Sequence, residues 1–125
     1  SSAASDVYKR QPFISENSGM KTALKIITKK KLGVLVVQNS KKKTNGIITD
    51  GQLRRVSEKV DNFKDLKVKD VMTKNPISID MQVLAAKALS LMNTKKITSL
   101  CVHNKNKNKT VGIIHIHNIL ESNIQ

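Results

Sequence analysis

Apolar positions along this chain follow one pattern that occurs twice. A Gly-Ile-Ile run with a helix-like segment after it appears in each half, and the aliphatic run and helical spacing before it are repeated in the same order. The matching segments are 20–27 with 85–92, 31–37 with 96–102, and 46–53 with 112–119. Since neither copy can bury a full core alone, the repeat predicts two units of one fold that pack as a pseudo-symmetric pair.

Each copy predicts the order strand, helix, strand, strand, helix. In the first copy, Ser18 can cap a helix whose apolar residues recur at helical spacing, and a continuous aliphatic run predicts a strand covered on both faces. Asp50 is predicted to cap the last helix of this copy. The predicted elements are an extended segment at 13–14, a helix at 20–27, strands at 34–37 and 46–49, and a helix at 52–60.

The second copy predicts the same elements, and a segment with spaced apolar residues joins the two. Because apolar residues recur through 61–75, we expect this linker to wrap around the core instead of hanging free. The predicted elements of the second copy are strands at 77–79, 99–103 and 111–115, a helix with its apolar face over 83–92, and a final helix at 117–122. The predicted boundaries are therefore 12–60 for the first unit, 61–75 for the linker and 76–125 for the second unit.

Residues 1–11 differ in composition from the rest of the chain and show neither helical nor strand periodicity. They resemble a translated adapter or cloning remnant, so we interpret them as a non-native segment outside the fold. On this interpretation the chain is a fragment, and the first unit lacks the beginning of its lead.

The 125 residues correspond to one compact domain. No apolar run approaches the roughly 18 residues that span a bilayer, and the N-terminus has no secretory pattern, so the sequence predicts a cytoplasmic protein without membrane association. The single cysteine, Cys101, lies in an apolar run and is expected to be a buried core residue without chemistry.

The formal net charge of +14 invites the hypothesis of nucleic-acid binding. Composition argues against it, because aromatic residues are only 2% of the chain and cannot provide stacking platforms, and no helix-turn-helix or zinc-ligand spacing occurs. The excess is almost entirely lysine in a chain rich in Asn and Ile, a bias that an AT-rich genome produces. A basic nucleic-acid-binding protein stays as an alternative, since a basic surface attracts polyanions.

The tandem unit and the Val-Met-Thr-Lys-Asn-Pro lead at 71–76 resemble a CBS domain pair, or Bateman module, over residues 12–125. The runs at 48–55, 96–98 and 112–118 are similar to those of KpsF/GutQ-type arabinose-5-phosphate isomerases. The resemblance implies an α+β fold of two βαββα units with pseudo-two-fold symmetry. It also implies a parent isomerase in which a sugar-isomerase domain, missing from this sequence, interconverts ribulose 5-phosphate and arabinose 5-phosphate for Kdo and lipopolysaccharide synthesis.

The resemblance further implies where a ligand would bind. CBS pairs that bind adenosyl nucleotides use a hydroxyl for phosphate or ribose and, three residues later, a carboxylate that accepts from both ribose hydroxyls. The first copy keeps the hydroxyl at Thr49 but has Gln52 at the carboxylate position, and the second copy has His115 and Asn118 at the two positions. Both ribose sites are therefore weakened. The alternative is that Gln52 and Asn118 cap their helices.

Histidines and arginines near these positions are further candidate ligand contacts. His115 and His117 point to one side if the strand persists, which would suit a metal only if His103 came close as a third ligand. The favoured interpretation is that one imidazole lines the cleft between the units and contacts an anion when protonated. Two alternatives stay open for Arg54 and Arg55. They bind a phosphate or a carboxylate on another subunit, or they lie solvated on the surface.

The sequence thus predicts a regulatory or oligomer-organising CBS pair, without catalysis, cofactor or metal in this fragment. We expect self-association through the CBS pair and a nucleotide or sugar-phosphate effector. The alternatives are a stand-alone CBS module that senses adenine nucleotides and the basic nucleic-acid-binding protein.

Overall fold

The computed structural model describes residues 13–30, 33–104 and 109–122, without the side chains of Lys30, Asn118, Glu121 and Ser122. The segment 1–11, predicted to be non-native, lies outside the described residues. The chain forms two compact units, one ending at Pro76 and the other beginning at Ile77. The predicted linker therefore belongs to the first of these units.

The first unit contains a four-stranded sheet in the order β1-β2-β3-β4. Its elements are β1 (Phe13–Ser15), α1 (Met20–Lys30), β2 (Val34–Gln38), β3 (Thr44–Thr49), α2 (Asp50–Lys59), a short 3₁₀ helix (Phe63–Asp65), α3 (Val68–Val71) and β4 (Thr73–Lys74). β1 pairs with β2 in parallel, while β2 with β3 and β3 with β4 pair antiparallel. Residues 34–37 of β2 are all buried, as their continuous aliphatic run predicts.

The second unit repeats this arrangement with a three-stranded sheet in the order β5-β6-β7. Its elements are β5 (Ser78–Asp80), α4 (Ala85–Lys95), β6 (Ser99–His103), β7 (Thr110–His115) and α5 (Ile116–Ser122). β5 pairs with β6 in parallel, and β6 pairs with β7 antiparallel. The predicted α+β class and the βαββα order of both units are confirmed.

The two units also share an irregularity in strand register. In each antiparallel pair one residue directly before the Gly-Ile-Ile run has no partner across the ladder, and this residue is Asn45 in the first unit and Val111 in the second. Such a bulge bends its strand and increases the local twist. The side-chain amide of Asn45 donates to the Glu16 carboxylate, which fastens the first bulge to the end of β1. The internal repeat is therefore a repeat of register as well as of element order.

Each unit has its own apolar core, so the expectation that neither copy could bury a core alone is wrong. The first core closes around Leu35 and Ile48 of the sheet and Leu53 of α2, and the second around Leu100 and Ile114, all of which are at most 1% exposed. None of the described helices is both long and apolar enough to cross a membrane.

Cys101 is buried on β6, as its apolar surroundings predict. Burial raises the pKa of the Cys101 thiol to about 11, against a smaller lowering by its hydrogen bond with Thr110. The thiol is therefore neutral at physiological pH, and a neutral thiol is a poor nucleophile.

The linker wraps around the first unit as its apolar spacing predicts. Val68 is completely buried in the first core. The backbone N–H of Val68 donates to the Ser18 carbonyl at 2.8 Å, and the N–H of Met20 donates to the Leu66 carbonyl at 3.1 Å. The linker is therefore tied to the segment that leads into α1.

The predicted start of α2 is wrong in one respect. The helix begins at Asp50, and Thr49 is its N-cap, so the predicted capping role of Asp50 is not observed. The reason is that Thr49 has an extended backbone (φ −104°, ψ 157°) and its side chain accepts from the N–H of Gln52. Asp50 is instead the first helical residue, and its carboxylate pairs with Arg54.

Gly46 lies where the linker strand β4 runs against β3. A Cβ at this position would lie 2.6 Å from the backbone oxygen of Thr73 and 2.8 Å from the sulfur of Met72. Backbone atoms cannot move away from such a contact without disturbing the strand pairing. The close approach of the linker is therefore the physical reason for glycine at the start of the first Gly-Ile-Ile run.

Replacing Gly46 by alanine should destabilise the chain by about 1–3 kcal/mol, because an added methyl group in a tight contact forces the backbone to shift. Urea unfolding monitored by circular dichroism measures this loss. Gly19→Ala is the matched control, since a Cβ at Gly19 would meet nothing within 4 Å, and it should be neutral or slightly stabilising. Equal stability of the two variants would contradict the proposed role of the contact at Gly46.

Candidate functional site

The first candidate site lies at the junction where β3 ends and α2 begins. The Thr49 hydroxyl accepts from the N–H of Gln52 at 3.1 Å, and Gln52 Oε1 accepts from the N–H of Thr49 at 2.9 Å. This reciprocal pair is a capping box, which satisfies two backbone donors at the start of the helix. The Thr49 hydroxyl also lies 3.2 Å from Gln52 Oε1, to which it donates. The interpretation of Gln52 as a helix-capping residue is confirmed.

The other end of the Gln52 side chain reaches the linker. Its Nε2 donates to the Thr73 hydroxyl at 2.9 Å and, at 3.4 Å, to the carbonyl oxygen of Val71. Both the oxygen and the nitrogen of the amide are therefore used within the first unit. A carboxylate at position 52 could still accept from Thr49 but could not donate to the Val71 carbonyl.

Two arginines lie beside the first turn of α2. The Arg54 guanidinium donates to the Asp50 carboxylate one turn earlier, and its side chain is 71% exposed, so this pair contributes little stability. The Arg55 guanidinium folds back against Gly51, where a Cβ would lie 3.2 Å from Nη1. Among the described residues, no acidic group lies within ion-pair distance of Arg55.

The corresponding junction in the second unit is built from histidine. β7 ends at His115 and α5 begins at Ile116. The N–H of His117 donates to Nδ1 of His115 at 3.2 Å, so an imidazole takes the place that the Thr49 hydroxyl has in the first unit. The two imidazole rings stack with their centroids 4.7 Å apart and an interplanar angle of 22°.

This geometry favours the neutral form of His115. Because Nδ1 accepts a hydrogen bond, the proton of the neutral ring lies on Nε2. Burial lowers the pKa of the His115 imidazole below its ordinary value, and the charge of His117 lowers it further. Both effects favour the neutral form of His115, in which Nδ1 can accept the hydrogen bond of the cap.

The hypothesis that His103 completes a metal site with this pair is wrong. His103 lies opposite Thr110 at one end of β6, whereas His115 lies opposite Ser99 at the other end. Four residues along a strand separate the two positions by roughly 13 Å. Within 13–30, 33–104 and 109–122, no group of three metal-ligating side chains is close enough to hold a metal ion.

The predicted site residues are thus divided between two junctions. Thr49, Gln52, Arg54 and Arg55 lie at the start of α2, while His115 and His117 lie at the start of α5. The side chain of Asn118 lies outside the described residues, so its role stays a prediction. The partner that the sequence did not reveal is Thr73, which lies 21 residues from Gln52. The recognisable Val-Met-Thr lead was the signal that could have pointed to it.

The family comparison matches both halves of the chain. The CBS domain family model matches residues 4–59 and 68–124. These ranges contain both βαββα units, and the first range also includes part of the segment 1–11.

Curated relatives match most of this chain but only part of their own length. Arabinose 5-phosphate isomerase KdsD of Yersinia pestis is 34% identical over 113 residues, which cover 90% of this chain and 34% of the isomerase. The enzyme of the same name from Escherichia coli K12 is 33% identical over the same coverage. The chain therefore spans about a third of the length of the curated relatives it matches.

Solved structures share the fold. CBSX2 from Arabidopsis thaliana, a CBS-pair protein, in its complex with AMP has a TM-score of 0.83 and 19% identity, over 100% of this chain and 98% of that chain. The CBS domain pair of protein MJ0100, in complex with 5′-methylthioadenosine and S-adenosyl-L-methionine, has a TM-score of 0.84 and 21% identity, over 99% of this chain and 98% of that chain. At these identities the likeness establishes the fold.

The His115 cap should make stability depend on pH. The folded chain protonates His115 only below its lowered pKa, while the unfolded chain protonates it near pH 6.5. Its contribution is therefore complete above about pH 6.5 and is lost as the pH falls towards the folded-state pKa. His115→Thr replaces the imidazole by a hydroxyl cap like that of the first unit, which does not titrate. As the pH falls from 8 to 5.5, the free energy of unfolding of the wild type should therefore decrease relative to that of the variant.

Urea unfolding of both proteins across this pH range measures the difference. The matched control is His117→Gln, which keeps the backbone N–H of residue 117 and the imidazole of His115. This variant should still lose stability as the pH falls. Parallel stability curves for wild type and His115→Thr would contradict the role of His115.

Proposed function

Since the chain belongs to the CBS domain family, we propose that it is the regulatory or oligomer-organising CBS pair of a cytoplasmic sugar-phosphate isomerase. Support comes from the 34% identity with an arabinose 5-phosphate isomerase over 90% of this chain. On this proposal the isomerase chemistry resides in another part of the parent protein, and the pair assembles with copies of itself. A ligand that favours one conformation of the pair would bias the attached catalytic domains.

The choice of ligand class rests on one observation, namely that both ends of the Gln52 amide already make hydrogen bonds within the chain. Adenosine binding at this junction would need a free acceptor for the ribose hydroxyls, yet Gln52 Oε1 accepts from Thr49, and Nε2 donates to Thr73 and Val71. Breaking these bonds costs free energy that a ribose contact must recover. We therefore propose a phosphorylated sugar as the effector and not an adenine nucleotide.

Arg55 supplies the cation for such a ligand. Its guanidinium lies beside the first turn of α2 without an acidic partner among the described residues. A guanidinium binds a phosphate through two parallel hydrogen bonds, which are stronger than those between neutral groups. Arg54 lies on the same helix but is already paired with Asp50.

Calorimetric titration of this chain with arabinose 5-phosphate, AMP and ATP tests the proposal. Arabinose 5-phosphate should bind, and Arg55→Ala should weaken its binding by about tenfold or more, in keeping with the loss of a hydrogen bond to a charged group. The matched control is Arg54→Ala, which removes a cation from the same helix and should leave the affinity unchanged.

Three outcomes would overturn this assignment. Preferential binding of AMP or ATP would favour the stand-alone nucleotide sensor. Salt-dependent retention on heparin or DNA with no sugar-phosphate binding would favour the nucleic-acid-binding alternative. An upstream reading frame without a sugar-isomerase domain would remove the proposed parent enzyme.

A further inference from the structure

The linker of the first unit is held in two parts of different strength. Residues 66–72 are anchored by the completely buried Val68 and by Met72, which packs against the first core. Backbone hydrogen bonds add to this, among them 2.8 Å from the Val68 N–H to the Ser18 carbonyl and 2.9 Å from the Lys69 N–H to the Glu16 carbonyl. This part contributes a side chain to the core. Opening it would therefore expose part of the core.

Residues 73–76 are held by fewer contacts. The strand β4 consists of Thr73 and Lys74 only, and both are exposed. They pair with Ile47 and Gly46 at the edge of the sheet. Segments with little apolar burial and a short ladder open at low free energy without global unfolding.

Gln52 adds a side-chain hydrogen bond to this second part. Its Nε2 reaches the Thr73 hydroxyl at 2.9 Å and the Val71 carbonyl at 3.4 Å. The opposite end of the same amide, Oε1, accepts from the N–H of Thr49 at the start of α2. One half-buried side chain therefore joins the strand-to-helix junction to the end of the linker.

We propose that Gln52 is a latch for the linker, where "latch" denotes its hydrogen bond to Thr73. When the latch opens, residues 73–76 separate from β3 while residues 66–72 stay in place. These residues directly precede Ile77, where the second unit begins. Once released and extended, four residues span roughly 13 Å, so the latch controls the length of free chain between the units.

The latch is independent of the effector proposed above, because it rests only on contacts within the first unit. A ligand that takes the hydrogen bonds of Gln52 would open it, yet the latch also opens and closes in the ligand-free chain. Its test therefore uses the chain alone, and a failure of sugar-phosphate binding would leave its result unaffected.

Hydrogen–deuterium exchange of the full chain, read by mass spectrometry, measures the opening. Thr73→Val removes the hydroxyl that accepts from Gln52 but keeps the shape and the backbone pairing, so exchange at residues 73–75 should rise about fivefold. Exchange in residues 16–30 should be unchanged. Thr73→Ser is the matched control: it keeps the hydroxyl and should exchange like the wild type, although serine has a lower preference for strands than threonine.

A second variant tests the other partner of the bond. Gln52→Met is similar in length and has no amide, so the loss of the bond to Thr73 should raise exchange at residues 73–75 about fivefold. The variant also removes the acceptor for the N–H of Thr49, and that loss should appear separately as faster exchange at the start of α2. Adding Thr73→Val to Gln52→Met should raise exchange no further, because the shared bond is already absent.

Three results would overturn the latch. Thr73→Val could exchange no faster than Thr73→Ser, which would show that the hydroxyl does not hold the strand. The effects of Thr73→Val and Gln52→Met could multiply, which would show that the residues act independently. Exchange could rise equally in residues 16–30, which would show that the linker opens only with the whole unit.

Discussion

In each unit the buried middle strand forms an antiparallel ladder with the Gly-Ile-Ile strand, and both ladders carry the same bulge. A slip of one residue would turn Ile48 or Ile114 away from its core, so burial fixes the register. This register places Thr49 opposite Val34 and His115 opposite Ser99, at the same end of each ladder. The helices α2 and α5 therefore start at equivalent positions of the two units. The chemistry at each start depends on the last residue of the preceding strand.

The equivalent points have different chemistry. In the first unit the hydroxyl of Thr49 and the amide of Gln52 satisfy each other and do not titrate near neutral pH. In the second unit the imidazole of His115 accepts from the backbone of His117, and it can do so only when Nδ1 is unprotonated. Both units thus have a side-chain acceptor for a backbone N–H at the start of the helix. The acceptor of the second unit titrates, whereas that of the first unit does not.

The spacing of apolar residues predicted the helices and strands well, because each of these elements is determined by a short stretch of chain. The aliphatic run of β2 and the apolar linker residue Val68 were sufficient to predict burial. The N-cap was misplaced because Thr49 and Asp50 are adjacent and both can cap, and the register decides between them. The contact between Gln52 and Thr73 joins residues 21 positions apart through the pairing of β3 with β4. No helical or strand periodicity encodes such a contact.

The contacts of Gln52 within the first unit therefore explain why a glutamine suits position 52. A carboxylate offers only acceptors, and beside the Val71 carbonyl it would place two acceptors together. An amide offers one acceptor for the N–H of Thr49 and donors for the linker. An amide at position 52 satisfies the carbonyl of the linker, which a carboxylate cannot do. Both ends of this side chain therefore make contacts within the chain, and Gly46 leaves the space in which the linker can approach closely enough to receive one of them.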